Sequence, residues 1–103
     1  MNHAKRRDAN EAPIVAALRA VGAAVQQLDG AGVPDLLVEY RGKLRLIEVK
    51  NPDTKGGGKY NTGEGHLTAA QTKWRREWKG TMPTVVTSID EALAAIGAVM
   101  WAR

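Results

Sequence analysis

At 103 residues the chain has room for about one domain with one modest core, and so for one site. Cysteine is absent and histidine occurs only at His3 and His66, which excludes a disulfide framework, thiolate zinc sites and a cysteine nucleophile and leaves oxygen ligands for any metal ion. The net charge of +4, from 15 basic and 11 acidic side chains, suits a polyanionic partner such as nucleic acid.

After a polar start, "NHAKRRDAN", the residues Ile14, Val15, Leu18, Val21 and Gly22 recur at helical spacing, which predicts a first helix over about 10 to 22. Asp8 or Asn10 is positioned to cap it, and Pro13 is tolerated in its first turn. This apolar pattern, continued to Val25, is interrupted by Arg19 and rich in alanine, so no membrane span or signal peptide is expected and a cytoplasmic location is. "AAVQQL" is a weak strand candidate, and "DLLVEY" and "KLRLIEVK" are β-rich runs around the two-residue turn Arg41-Gly42, a hairpin. From Leu67 to Lys79 a second helix is expected, with Leu67, Gln71, Trp74 and Trp78 on one face; "GTMP" ends it before the strand "TVVT". "SIDEALAAIGAVM" carries Ser88 and Glu91 in capping-box spacing and predicts a last helix from about Ile89. The order α-β-β-β-α-β-α predicts one α/β domain with a mixed sheet and helices on both faces.

The hairpin carries the first chemistry. With Arg41 and Gly42 as the loop, Tyr40 pairs with Lys43, Leu37 with Leu46, and Asp35 faces Glu48. A bulge at Gly42 would instead shift the register by one and separate the acids. Directly opposed side chains have Cβ atoms about 4.5 to 5.5 Å apart, so two carboxylates there repel unless a cation lies between them. Lys50 falls on the same face as Glu48 because side chains alternate along a strand. Both faces of the hairpin are apolar, Leu37, Leu44 and Leu46 on one and Leu36, Val38, Ile47 and Val49 on the other, so helices are expected to cover both. Glu11 and Gln71 interrupt apolar helical stripes, and both are expected to face inward.

The segments "NEAPIVAALRAVGA", "GVPDLLVEY", "LIEVKN" and "LTAAQTKW" together resemble the PD-(D/E)xK nuclease superfamily, and their spacing is similar to that of small stand-alone VRR-NUC-type nucleases of phage and prophage. The resemblance runs over roughly residues 8 to 90 and implies a restriction-endonuclease-like fold and a Mg2+- or Mn2+-dependent DNA endonuclease. In such an enzyme Asp35, Glu48 and the Val49 backbone carbonyl bind the ion, while Lys50 handles the attacking water or the charge that develops on the phosphate. Gln71 assists at the water, the lysine or the phosphate, and Glu11 orients a bound water or supports a second ion. Relatives of this type often carry an acid where Pro13 stands, so the helical acid is assigned to Glu11 with Asp8 as the alternative. The same resemblance implies a homodimer acting on branched, Holliday-junction-like DNA, since symmetric cutting of a four-way junction needs two sites about a twofold axis. A contact through the last helix, with Ala95, Ile96, Val99, Met100 and Trp101, or through the first helix is expected; the same residues also suit closure of the core.

Plainer readings stand beside these. Glu48 and Lys50 are also compatible with an exposed strand pair, and Gln71 also completes a capping box with Thr68. Glu11 suits a helix first turn, His66 a loop, and Trp74 and Trp78 are expected against the sheet rather than as base-stacking platforms. The basic start is either a solvated arm or a phosphate contact. "GGGKY" fails as a phosphate-binding loop, because Asp53 replaces a required glycine and Tyr60 a required hydroxyl, and no helix follows at once. Residues 51 to 66, with Lys55, Lys59, Tyr60 and His66, fit either a flap that touches DNA or a flexible linker.

Overall fold

The computed structural model describes residues 7–52 and 67–98. Their elements follow the expected order: α1 (Glu11–Ala20), β1 (Ala24–Gln27), β2 (Leu36–Tyr40), β3 (Lys43–Val49), α2 (Ala69–Glu77), β4 (Thr84–Val86) and α3 (Ile89–Ala95). They build an α/β domain with a four-stranded mixed sheet in the order β1-β2-β3-β4. The first two pairings are antiparallel, and β3 pairs with β4 in parallel. Among the described residues no helix is long and apolar enough to cross a membrane.

The hairpin turns without a bulge. Arg41 and Gly42 both have positive φ, 53° and 82°, as a two-residue turn that matches strand twist requires, and the register runs from Tyr40↔Lys43 to Leu36↔Ile47. Glycine takes this conformation freely; Arg41 does not, and its guanidinium lies 5.4 Å from the centre of the Tyr40 ring.

One face of the sheet is closed. Leu36, Val38, Ile47, Val49 and Val86 pack with Ile14, Val15 and Leu18 of α1 and with Ala92 and Ile96 of the α3 region, and all are buried. Full burial of such a side chain stabilises by about 1.5–3 kcal/mol, so this layer is the main source of cohesion. Ile96, 2 % exposed, and Ala95 therefore close the core rather than offer a dimer surface. Val99, Met100 and Trp101, also expected at a dimer contact, lie outside the described residues.

The second face corrects two expectations. α2 lies there, since Gln71 bonds to Glu48 and Lys50, but it buries no residue fully, and Leu44 remains 62 % exposed. Helices thus occupy both faces, yet cover only one. Trp74 and Trp78 do not enter the buried core: Trp74 is half-buried, and Trp78 borders Leu37, Leu44 and Leu46 of the sheet across an open cavity while staying exposed. Their rings stack on each other at 4.9 Å, and the Trp78 indole N–H donates to the Thr81 carbonyl at 2.8 Å. The polar Thr72, Lys73, Arg76 and Glu77 around them keep this short helix at the surface.

Candidate active site

The sheet fixes two acids and a lysine at the open end of the hairpin. One step beyond the Leu36↔Ile47 pair, Asp35 stands across from Glu48, and both are buried, at 7 % and 4 % exposure. Two residues on, Lys50 points to the same face, its Nζ 3.9 Å from Glu48 Oε2. The ladder changes character here. Continued to the next hydrogen-bonded pair, it would match Val49 with Pro34, and proline has no N–H to give. The Val49 carbonyl therefore stays out of that ladder, and the Val49 N–H donates instead to Asp35 Oδ2 at 2.8 Å.

Gln71 reaches these charges from the first turn of α2. Thr68 caps the helix: its hydroxyl accepts from the Gln71 N–H at 3.1 Å, and its own N–H donates to Gln71 Oε1 at 2.9 Å, a complete capping box. The same carboxamide accepts from Lys50 Nζ at 2.8 Å and donates from Nε2 to Glu48 Oε2 at 2.6 Å. Capping and site contact, alternatives in the sequence, coexist in one side chain.

The structure places the two candidates for the helical acid differently. Glu11 is inward-facing as expected, 1 % exposed, but its Oε2 accepts from Arg7 Nη1 at 3.1 Å and from Gln27 Nε2 at 2.9 Å, behind the site. Asp8, the alternative, lines the site together with Asp35, Glu48, Val49, Lys50, Thr68, Gln71 and the 30–33 loop, around an open cavity of about 260 Å³. Burial, and then the Asp35 charge, raise the Asp8 carboxyl above its ordinary pKa, while Lys50 pulls it down.

Arg7, Asn10 and Gly32 were not singled out as site residues by the sequence. The Arg7 guanidinium donates to Glu11, to the Leu28 carbonyl at 2.9 Å and to Asp29 Oδ1 at 3.1 Å, and lies 3.8 Å from Asp35 Oδ1. It ties the start of α1 to the loop that delivers Asp35. Asn10 sits at the N-cap of α1 but makes no side-chain cap; its Nδ2 donates to the carbonyls of Lys50 at 3.1 Å and Thr87 at 3.0 Å, joining α1 to the ends of β3 and β4. Gly32, at φ +79°, is pressed against the α2 backbone at Ala70 and Gln71. Contacts 40 and 77 positions apart, such as those of Asn10, leave no local signal in a sequence. Lys55, Lys59, Tyr60 and His66 lie outside the described residues.

The donor chemistry fits a hard divalent cation. Two carboxylates and a carbonyl that proline keeps out of the ladder offer oxygen alone, which matches Mg2+ or Mn2+ and fits no soft metal. Among the described residues no group of three or more His, Cys, Asp or Glu is placed to hold an ion, so water and phosphate oxygens would have to complete the shell, as is usual for Mg2+. Comparison of the chain with family models, with curated proteins and with solved structures found no match.

Proposed function

We propose that the chain is a Mg2+- or Mn2+-dependent DNA endonuclease of the PD-(D/E)xK type with a restriction-endonuclease-like fold, selective for branched DNA such as Holliday junctions and active as a homodimer. The observation that supports this most is the meeting of Asp35, Glu48, Lys50 and Gln71 at one open polar cavity. These residues combine metal-binding oxygens with a cation and a neutral hydrogen-bonding group. Asp35, Glu48 and the Val49 carbonyl would hold the ion, which when bound would supply Lewis-acid polarisation of the scissile phosphate and of a water. Lys50 orients the water or meets the charge that builds on the phosphate oxygens. Gln71 fixes the lysine, and Asp8, in the segment just before α1, supplies a further acid in place of Glu11.

Four-way-junction and linear duplex DNA, incubated with Mg2+, Mn2+ or chelator, test the reading. Cuts that require metal and favour the junction are expected. A second reading, a catalytically silent nucleic-acid-binding module, is favoured by the Lys50–Gln71–Glu48 chain, which balances both charges with protein groups alone. Binding without cleavage under every metal condition would select it.

Metal binding is open to a direct check. Asp35 and Glu48 oppose each other across the hairpin, so Mg2+ or Mn2+ is expected to raise the melting temperature, and the double change Asp35→Asn, Glu48→Gln to abolish the increment. Equal ion binding by the double variant in calorimetric titration would refute the ligand assignment. Light scattering at micromolar concentration is expected to give about twice the chain mass of 11.1 kDa. A monomer that stays monomeric on junction DNA and cuts linear duplex equally well would reject the dimeric, junction-selective part.

A further inference from the structure

We propose that Thr68 is a positioning residue of this site: by holding the Gln71 carboxamide in the capping box of α2, it keeps Lys50 and Glu48 apart as two separate charges. The inference rests on the nuclease reading of the cavity. Gln71 Oε1 faces two groups that can only donate, the Thr68 backbone N–H at 2.9 Å and Lys50 Nζ at 2.8 Å. Its Nε2 faces Glu48 Oε2 at 2.6 Å, which as a carboxylate can only accept. One orientation of the amide satisfies all three, and it braces the lysine and the glutamate at a separation of 3.9 Å.

Opposite charges so close on one strand face would otherwise close to direct contact at about 2.7–2.9 Å. That contact would spend one of the lysine's three N–H donors and one carboxylate oxygen on each other and draw both groups off their positions, leaving less of the lysine to meet water or phosphate and less of the carboxylate to bind a cation. A glutamine alone makes a poor brace, because its side chain is long and loses much rotamer freedom when fixed. The cap provides the fixation. The Thr68 hydroxyl holds the Gln71 backbone N–H at 3.1 Å while the Thr68 N–H holds the far end of the side chain, so one residue ties down both ends of Gln71. The amide is therefore located by the first turn of α2, independently of the charges it separates.

Three substitutions in the full chain separate the two arms. Thr68→Ser keeps both, Thr68→Val keeps only the backbone N–H, and Thr68→Pro keeps neither; the φ of −73° at this position lies within the proline range. The readouts are the Gln71 side-chain amide resonances by nitrogen-15 NMR and cleavage of junction DNA with Mn2+. In the wild type and Thr68→Ser the Gln71 pair is expected to be displaced from free glutamine and slow to exchange. In Thr68→Pro it should move to the free position. Loss of one arm is expected to lower kcat about fivefold in Thr68→Val, and loss of both about 10²-fold in Thr68→Pro. KM should change by less than about twofold, as befits a group that acts on the chemical step. A folded Thr68→Pro protein with wild-type resonances, or with free resonances and wild-type kcat, overturns the inference and leaves the nuclease reading standing. Should Thr68→Pro not fold, Thr68→Val against Thr68→Ser decides by the same two readouts. A wild type that cuts no DNA rejects the nuclease reading instead, and the resonances then decide separately whether Thr68 sets Gln71.

Discussion

Lys50→Ala is expected to retain the fold and DNA affinity while cleavage falls by about 10²-fold or more, the usual cost of losing one transition-state contact in an enzyme site. The side chain lies at the end of β3, with Nζ held by Gln71 Oε1 at 2.8 Å and 3.9 Å from Glu48. Truncation removes no core packing, because Lys50 is on the cavity side and not among the buried residues of the sheet. Glu48 keeps the hydrogen bond from Gln71 Nε2, so its buried carboxylate is still solvated by protein. Single-turnover cleavage, paired with anisotropy measurements of DNA binding in the absence of cleavage, separates the two effects. Wild-type rates from the variant would make Lys50 a counter-ion of Glu48 and nothing more.

Gly32→Ala is expected to cost about 2–5 kcal/mol of stability and to disable the site with it. Two effects add. The backbone at Gly32 has φ +79°, a left-handed conformation that costs a residue with a Cβ about 1–2 kcal/mol. The new Cβ would also press on the Ala70 carbonyl, 2.6 Å from its carbon and 3.2 Å from the Gln71 nitrogen, and forcing extra atoms into a packed contact costs about 1–3 kcal/mol. The obstacle is backbone in the first turn of α2, so relief requires the helix to move, and Gln71 moves with it. Misplacement by about 1 Å is enough to lower a rate about 10²-fold. Gly97→Ala is the control, since Gly97 has φ +78° with nothing within 4 Å of the added carbon. Thermal melts of both variants isolate the close approach from the backbone conformation. Equal losses of melting temperature would show that the contact between the 30–33 loop and α2 is unimportant.

The sequence by itself determined the features that depend on period and on immediate neighbours. Arg41-Gly42 read as a two-residue turn was enough to predict the hairpin register, because the length of the loop fixes which residues pair outward from it, and the pairs from Tyr40↔Lys43 to Leu36↔Ile47 follow. That register in turn put Asp35, Glu48 and Lys50 at the same end of the hairpin, and the Thr68–Gln71 spacing foretold a cap. Glu91 departs from the box that its spacing predicts: its backbone N–H donates to Ser88 as expected, while its carboxylate accepts from the Thr87 N–H and hydroxyl at 2.6 and 2.9 Å instead of closing the box on Ser88. Only the tertiary structure placed Asp8, just before α1, in the lining of the cavity and Glu11, in its first turn, outside that lining. Glu11 and Asp8 are nearly equivalent along the chain, and the choice between them is made by Arg7 and Gln27, which draw Glu11 behind the site toward the Leu28–Asp29 segment. It also decided that α1 and α3 pack together on one face and leave Leu44 on the other exposed. Periodicity assigns a residue to a face, but which face another element covers depends on contacts between segments far apart in the chain, and these carry no periodic signal.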